Sequence, residues 1–94
     1  MKLYYPYPAN DGKHKYYIIT NTGKRVYFGA KGYSDFTLTK NEEQKDRYIQ
    51  RHQKRENWTK SGIDTAGFWS RWLLWNKPTI EASYNDIKKR FRIS

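Results

Sequence analysis

Apolar and polar positions alternate in the first third of the chain, and this alternation predicts a β-hairpin. Residues 15–20 are rich in β-branched and aromatic side chains, which favour strands. Residues 24–28 alternate so that Val26 and Phe28 share one face, which can pack while the other face meets solvent. Between the two strands, residues 21–23 (Asn-Thr-Gly) are typical of a three-residue hairpin loop.

The spacing of apolar residues becomes helical after a glycine-containing loop at residues 29–35. Thr39 and Glu42 match a capping box, so we expect a first helix over residues 40–54. Its apolar content is thin and centres on Tyr48. Most positions of this helix are therefore polar or charged.

Two more apolar helices are expected in the C-terminal half. Asp64 or Thr65 can cap the first of them, which should run to Trp75 and lie buried, because large side chains cover most of its circumference. These side chains are Phe68, Trp69, Trp72, Leu73 and Trp75. Thr79 can cap the last helix, whose apolar residues recur at helical spacing as a core stripe. The stripe consists of Ile80, Tyr84, Ile87 and Phe91.

We therefore predict an α+β fold, with an N-terminal β-hairpin followed by three α-helices around a Trp-rich core. Residues 13–94 form a single basic domain in this prediction, and residues 1–12 form an N-terminal arm. Pro6 and Pro8 disfavour both helix and central strand in the arm. The arm's tyrosines either pack onto the domain or remain available to a partner.

Charge and composition narrow the classes of function. The chain has 94 residues, enough for one domain, and carries a formal net charge of +10. So large an excess predicts a counter-charged partner, which is nucleic acid, an anionic membrane or an acidic protein. Aromatic residues make up 18% of the chain and all hydrophobic residues 36%, so large rings supply much of the core and argue against disorder.

Several classes of chemistry have no support. The absence of cysteine excludes disulfides, cysteine-based zinc sites and thiol catalysis. The apolar runs are too short for a signal peptide or a transmembrane helix, so we expect no membrane partner.

Catalytic patterns are also weak. His14 and His52 lie far apart, and a pair formed by His52 and Glu56 lacks the H-E-x-x-H pattern of a zinc site. The carboxylates that a metal-dependent nuclease would need are dispersed along the chain, at Asp35, Asp64 and Glu81. We expect no enzyme, no metal and no cofactor.

Basic side chains are arranged in order on the first predicted helix. They recur there at i, i+4, i+7 and i+8, which places them on one helical face. A second group closes the last helix, and further cations flank the hairpin. We predict that nucleic-acid phosphates contact Lys45, Arg47, Arg51, Lys54, Arg55, Lys88, Lys89, Arg90, Arg92, Lys24, Arg25 and Lys31. The alternative for each is a solvated face or, at a helix end, a charge that complements the helix dipole.

Trp58 has two interpretations. It lies in a basic loop, where it can stack on a base or cover the edge of the core. The tryptophans at residues 69, 72 and 75 have helical spacing, which is more typical of core packing.

Three stretches, at residues 28–37, 51–58 and 65–79, are together similar to a family of small basic proteins of giant viruses, the nucleocytoplasmic large DNA viruses. The third stretch, which contains Gly-Phe-Trp-Ser-Arg-Trp-Leu-Leu-Trp-Asn-Lys-Pro-Thr, is the most specific. The similarity covers roughly residues 15–91 and leaves out the arm. It implies a viral protein that binds DNA, compacts it and travels in the virion. It supplies no binding or catalytic residues.

We therefore expect a sequence-non-specific, architectural DNA-binding protein that compacts viral genomic DNA in the virion or in the cytoplasmic viral factory of the host. Its partner is expected to be double-stranded DNA. One alternative is a structural virion protein that binds an acidic protein partner. Another is a module for single-stranded nucleic acid or RNA, with Trp58 and the tyrosines of the arm as stacking platforms. Self-association would suit a condensing protein, although no heptad pattern indicates a seam.

Overall fold

Three antiparallel strands open the chain, and helices follow. The computed structural model describes residues 2–93. The strands are β1 (Tyr7–Pro8), β2 (His14–Ile19) and β3 (Arg25–Ala30), in the order β1-β2-β3. The helices are α1 (Phe36–Thr39), α2 (Glu42–His52), α3 (Ala66–Trp69), which continues as a π-helical turn (Ser70–Leu74), and α4 (Ile80–Phe91). A short 3₁₀ turn (Lys60–Gly62) precedes α3. The predicted α+β class is confirmed.

The predicted hairpin is formed by β2 and β3. Ile18 pairs with Val26 and Tyr16 with Phe28. Ile18, Val26 and Phe28 are buried, so this face of the sheet packs on the helices, as the alternation predicts. Gly23 adopts φ 87° in the connecting turn, a conformation that favours glycine.

The arm adds a strand that the sequence pattern did not predict. Tyr7 pairs with Tyr17 at the edge of the sheet, where Pro8 can be accommodated. The backbone N–H of Tyr4 donates to the carbonyl of Ile19 at 2.9 Å. The arm therefore packs onto the domain, which is the first of the two alternatives for its tyrosines.

The capping-box prediction for α2 is wrong. Thr39 belongs to α1, a short helix in a segment where no helix was expected, and Lys40 ends that helix at φ 55°. Asn41 caps α2 instead, since its side-chain oxygen accepts from the N–H of Gln44 at 3.1 Å. The helix therefore spans Glu42–His52 rather than residues 40–54.

The second apolar helix is capped by Thr65, whose hydroxyl accepts from the N–H of Phe68 at 3.3 Å. It changes from α-helical to π-helical geometry at Ser70, and the N–H of Trp75 donates to the carbonyl of Ser70 at 3.2 Å. Trp69 is fully buried, and its indole N–H donates to the carbonyl of Ile63 at 2.8 Å. This helix is central, as predicted, but its π-helical turn was not expected.

The last helix begins as predicted, with the Thr79 hydroxyl accepting from the N–H of Ala82 at 3.1 Å. Tyr84 and Ile87 of the predicted stripe are buried. Phe91 packs edge-on against Phe68, with 4.8 Å between ring centroids. The stripe therefore packs against the side of α3 that carries Phe68.

Gly62→Ala is expected to lower the free energy of unfolding by about 1–3 kcal/mol, because an added Cβ would lie 2.1 Å from the backbone oxygen of Asn57. Gly67→Ala is the matched control. Its Cβ would meet the flexible carboxylate of Glu56, which can move, and alanine favours the helix. Urea unfolding followed by tryptophan fluorescence measures both variants. Wild-type stability of Gly62→Ala would contradict the close approach at Asn57.

Candidate nucleic-acid interface

An open cleft of about 910 Å³ lies between the sheet and the helices. The starts of β2 and of the loop after β3 form one wall, and α2 forms the other. The cleft-facing side of α3 and its π-helical turn forms the floor, at Gly67, Ser70 and Leu74. It is about three times the volume of a second cavity of about 290 Å³, and such clefts are the default location of binding sites.

A row of exposed cations borders the cleft on the α2 side. We call it the α2 stripe; it consists of Arg47, Arg51, Lys54 and Arg55, all of them exposed. Arg51 itself lines the cleft. Within residues 2–93, Arg47 is the one stripe residue with a carboxylate inside 4 Å, that of Glu43 at 3.8 Å. The stripe is therefore largely uncompensated. Because α2 ends at His52, Lys54 and Arg55 lie in the turn that follows it, and the predicted helical face contains only Arg47 and Arg51.

Cations also stand on the opposite wall. Lys13 lines the cleft, and its carbonyl accepts from the backbone N–H of Lys31 at 2.9 Å. Lys31, which was predicted as a phosphate contact, lines the second cavity rather than this cleft, whereas Lys13 was not predicted. The spacing of residues in the sequence does not point to Lys13, because this residue lies in a short turn before β2. Only the folded chain brings Lys13 and Arg51 to the same cleft.

Stacked rings line the α2 wall. Tyr48 lies parallel to Trp75, with 4.6 Å between centroids and 7° between planes, and it also stacks on His52 at 4.3 Å. Burial raises the pKa of Tyr48 to about 12, so its hydroxyl keeps its proton. Desolvation, followed by the charges of Arg55 and Arg51, lowers the pKa of His52 below its usual range, so the imidazole is neutral at neutral pH.

The acidic groups of the cleft do not form a metal site. Glu56 packs against the backbone of Gly67, where an added Cβ would overlap its carboxylate. The backbone N–H of Glu56 donates to the carbonyl of His52 at 3.1 Å, but no hydrogen bond joins their side chains in the described part of the chain, so the two do not form a dyad. Within residues 2–93, no group of three or more histidine and acidic side chains is placed to hold a metal ion.

Asp35 and Lys15 line the cleft and form a largely buried ion pair there. Their side chains are 3% and 16% exposed, and the Lys15 ammonium lies 2.5 Å from the Asp35 carboxylate. The same carboxylate accepts from the N–H of Thr37 at 2.9 Å, which caps α1. The pair therefore ties the sheet to the loop that carries Tyr33.

Lys45 is a predicted phosphate contact that the structure places inside the molecule. Its side chain is 20% exposed and lies 3.3 Å from the carboxylate of Glu42. Its ammonium also donates to the carbonyl of Asn76 at 3.3 Å and lies 4.5 Å from the ring centroid of Phe36. Lys45 joins α2 to the segment after the π-helical turn, and it is not part of the α2 stripe.

The C-terminal cations lie on the other side of α3 from the cleft. Gly67 and Ser70 face the cleft, whereas Phe68 and Trp72 contact Phe91 of α4. The predicted contacts there, Lys88, Lys89, Arg90 and Arg92, therefore form a separate surface, which we call the α4 cluster.

The members of the α4 cluster differ in their exposure to solvent and in their contacts with other side chains. Arg90 lies 3.2 Å from the carboxylate of Asp86 and 4.6 Å from the centroid of Trp72. Lys88 is half-buried over the ring of Tyr84, at 5.0 Å. Lys89 and Arg92 are exposed. These last two are the members best placed to meet phosphate.

Arg71 is a central cation that the sequence pattern missed. Its guanidinium lies 4.4 Å from the centroid of Trp72 and 5.6 Å from that of Trp58, and it donates to the carbonyl of Trp75 at 2.6 Å. Desolvation, with the nearby charge of Arg90, lowers its pKa. Trp58 is half-buried against this cluster, and its carbonyl accepts from the indole of Trp72 at 2.9 Å. Trp58 therefore covers the core edge, which is the second of its two interpretations.

Lys24 and Arg25 are not brought to the cleft. They lie at the hairpin turn, the far end of β2 from His14, and six strand residues span about 20 Å. Arg25 is stacked over Tyr17 at 5.1 Å. Lys24 is exposed. The predicted cations are thus divided among the α2 stripe, the α4 cluster and the hairpin turn, while Lys31 lines the second cavity and Lys45 is held inside the molecule.

Comparison with known proteins adds one similarity. Residues 7–52 are similar to a family of unknown function (DUF5754). This segment includes the sheet, α1 and α2, and therefore both side walls of the cleft. No curated protein and no solved structure matches the chain. Within residues 2–93, no helix has the length and apolar character needed to cross a membrane.

Proposed function

We propose that this protein binds double-stranded DNA without sequence preference and compacts it, as an architectural protein of a giant virus acting in the virion or in the cytoplasmic viral factory. The observation that carries the proposal is the α2 stripe. Its cations are exposed and largely unpaired, and Lys13 adds an exposed cation to the lining of the same cleft.

The spacing of the stripe suits a phosphate backbone. Arg47 and Arg51 are four residues apart, which corresponds to a rise of about 6 Å along the helix. This distance is close to two steps of a DNA strand, whose phosphates are about 3.4 Å apart along the duplex axis. The exposed acids Glu42 and Glu43 lie in the first turn of α2, where they would repel DNA. We therefore expect DNA to contact the C-terminal half of α2 and the turn after it.

The α4 cluster supports compaction. It lies across α3 from the cleft, so one molecule offers cations on two separate surfaces. A protein with two such surfaces can bridge neighbouring duplex segments and neutralise both. This would condense DNA without contacts to base edges, because phosphate contacts carry no direct sequence information.

The test is binding to random-sequence duplexes, measured by fluorescence anisotropy across a salt titration. If the four stripe residues each contact a phosphate, log K should fall linearly with log salt with a slope of about −3 to −4 or steeper. Duplexes of different sequence should give the same curve. Weak binding at low salt would overturn the proposal and would favour an acidic protein partner as the counter-charge.

A further inference from the structure

Backbone binding by the α2 stripe leaves the cleft itself without a role. We propose that the cleft binds one unpaired nucleotide, with its base among the aromatic side chains and its phosphate on Arg51 and Lys13. The inference rests on the proposed function and adds a second, pocketed mode of contact to it.

The size of the cleft sets the class of ligand. Its volume of about 910 Å³ falls within the range of small-molecule sites. A cube of this volume has an edge of about 10 Å, which is narrower than the ~12 Å major groove alone, so a duplex cannot enter. A single nucleotide that has left the base stack fits this space.

The walls offer rings on both sides. Tyr27 and Tyr33 line the sheet side, and Tyr33 is 73% exposed. On the helix side, His52 ends the stack that begins with Trp75 and Tyr48. A base can stack on such platforms whatever its identity, because every base has a π face.

The cleft is lined by both positively and negatively charged side chains, which disfavours a simple anion, such as inorganic phosphate, as its ligand. Arg51 can hold phosphate oxygens with paired N–H donors, and Lys13 faces it from the other wall. Glu56 lines the same cleft, beside Gly67, and would repel a phosphate. A carboxylate instead accepts from an amino group, such as the exocyclic amine of cytosine. A nucleotide carries both the anion and the donor.

The backbone of the floor is also unusual. The π-helical turn Ser70–Leu74 places Ser70 and Leu74 on the cleft floor. Such turns interrupt the regular hydrogen-bond ladder and occur frequently at functional sites. In this chain the irregular turn lies under the cleft rather than elsewhere on the helix.

The test is calorimetric titration of the whole protein with dCMP, dTMP, deoxycytidine and inorganic phosphate. We expect one saturable site for dCMP, about tenfold tighter than for deoxycytidine or phosphate. dCMP should also bind more tightly than dTMP, which lacks the amino group. Phosphate that binds as tightly as dCMP, or absence of dCMP binding, would overturn the inference. Equal affinities for dCMP and dTMP would overturn the contact with Glu56.

Variants separate this inference from the proposed function. Arg51→Ala should reduce dCMP affinity about tenfold, whereas Lys60→Ala, an exposed cation outside the cleft, should not. Tyr33→Ala should weaken dCMP binding and leave the duplex affinity and salt slope unchanged, because Tyr33 carries no charge. Retained dCMP affinity in Tyr33→Ala and Arg51→Ala would overturn the cleft as the site. Weak duplex binding beside intact dCMP binding would overturn the proposed function alone.

Discussion

Substitution of all three of Arg47, Arg51 and Arg55 by glutamate is expected to lower the affinity for random-sequence duplex DNA. The expected loss is about a hundredfold or more at 0.15 M salt. Each phosphate contact releases about 0.9 counterion, which is worth roughly a factor of five at this salt concentration. Three lost contacts therefore multiply to more than a hundred, and the new carboxylates add repulsion. The salt slope should become shallower by about 3.

The matched control for this triple variant reverses three exposed cations that were not predicted as phosphate contacts, Lys40, Lys60 and Lys77. Both triple variants lower the formal net charge from +10 to +4, since each of three reversals removes two charges. The control should keep most of the affinity and the slope. Equal losses in the two variants would mean that overall charge, and not the α2 stripe, governs binding. Circular dichroism verifies that α2 remains folded.

Asp35→Ala is expected to lower the free energy of unfolding by about 3–5 kcal/mol, the range found when one partner of a buried ion pair is removed. The change leaves the Lys15 ammonium nearly buried, with its side chain only 16% exposed and its carboxylate partner gone. It also removes the cap of α1, because the Asp35 carboxylate accepts from the N–H of Thr37. Urea unfolding followed by tryptophan fluorescence measures the loss.

Two further variants test the cause of that loss. Asp46→Ala removes an exposed carboxylate from α2 and should change stability little. Adding Lys15→Met to Asp35→Ala removes the stranded charge and should recover much of the stability. If the double variant is no more stable than Asp35→Ala, the unpaired ammonium is not the source of the destabilisation, and the lost cap must account for it.

The α2 stripe and the cleft differ in how far the sequence could predict them. Arg47 and Arg51 repeat at the period of one helical face, so their shared side is visible in the sequence alone, whereas α2 ends before Arg55. Lys45 lies two residues before Arg47 and looked similar, yet its ammonium reaches the carbonyl of Asn76. A contact across 31 residues leaves no mark in local periodicity.

The secondary-structure predictions that were wrong failed because neighbouring residues formed caps and pairings other than the predicted ones. Thr39 and Glu42 satisfy the capping-box pattern, but Asp35 caps α1 first and Thr39 becomes part of that helix. Asn41 then provides the cap of α2. The strand β1 has only two residues, too few for any period, and it forms because β2 offers an unpaired edge.

The sequence by itself determined the hairpin, the three longer helical segments, the buried central helix and the shared helical side of Arg47 and Arg51. These features follow from periods of two and 3.6 residues, which are properties of consecutive positions. Only the tertiary structure decided that Lys13 and Tyr33 face Arg51 across a cleft. It also decided that Lys45 and Arg71 are engaged within the protein. These arrangements depend on how the sheet packs against the helices, and contacts between distant segments are not encoded in the spacing of neighbouring residues.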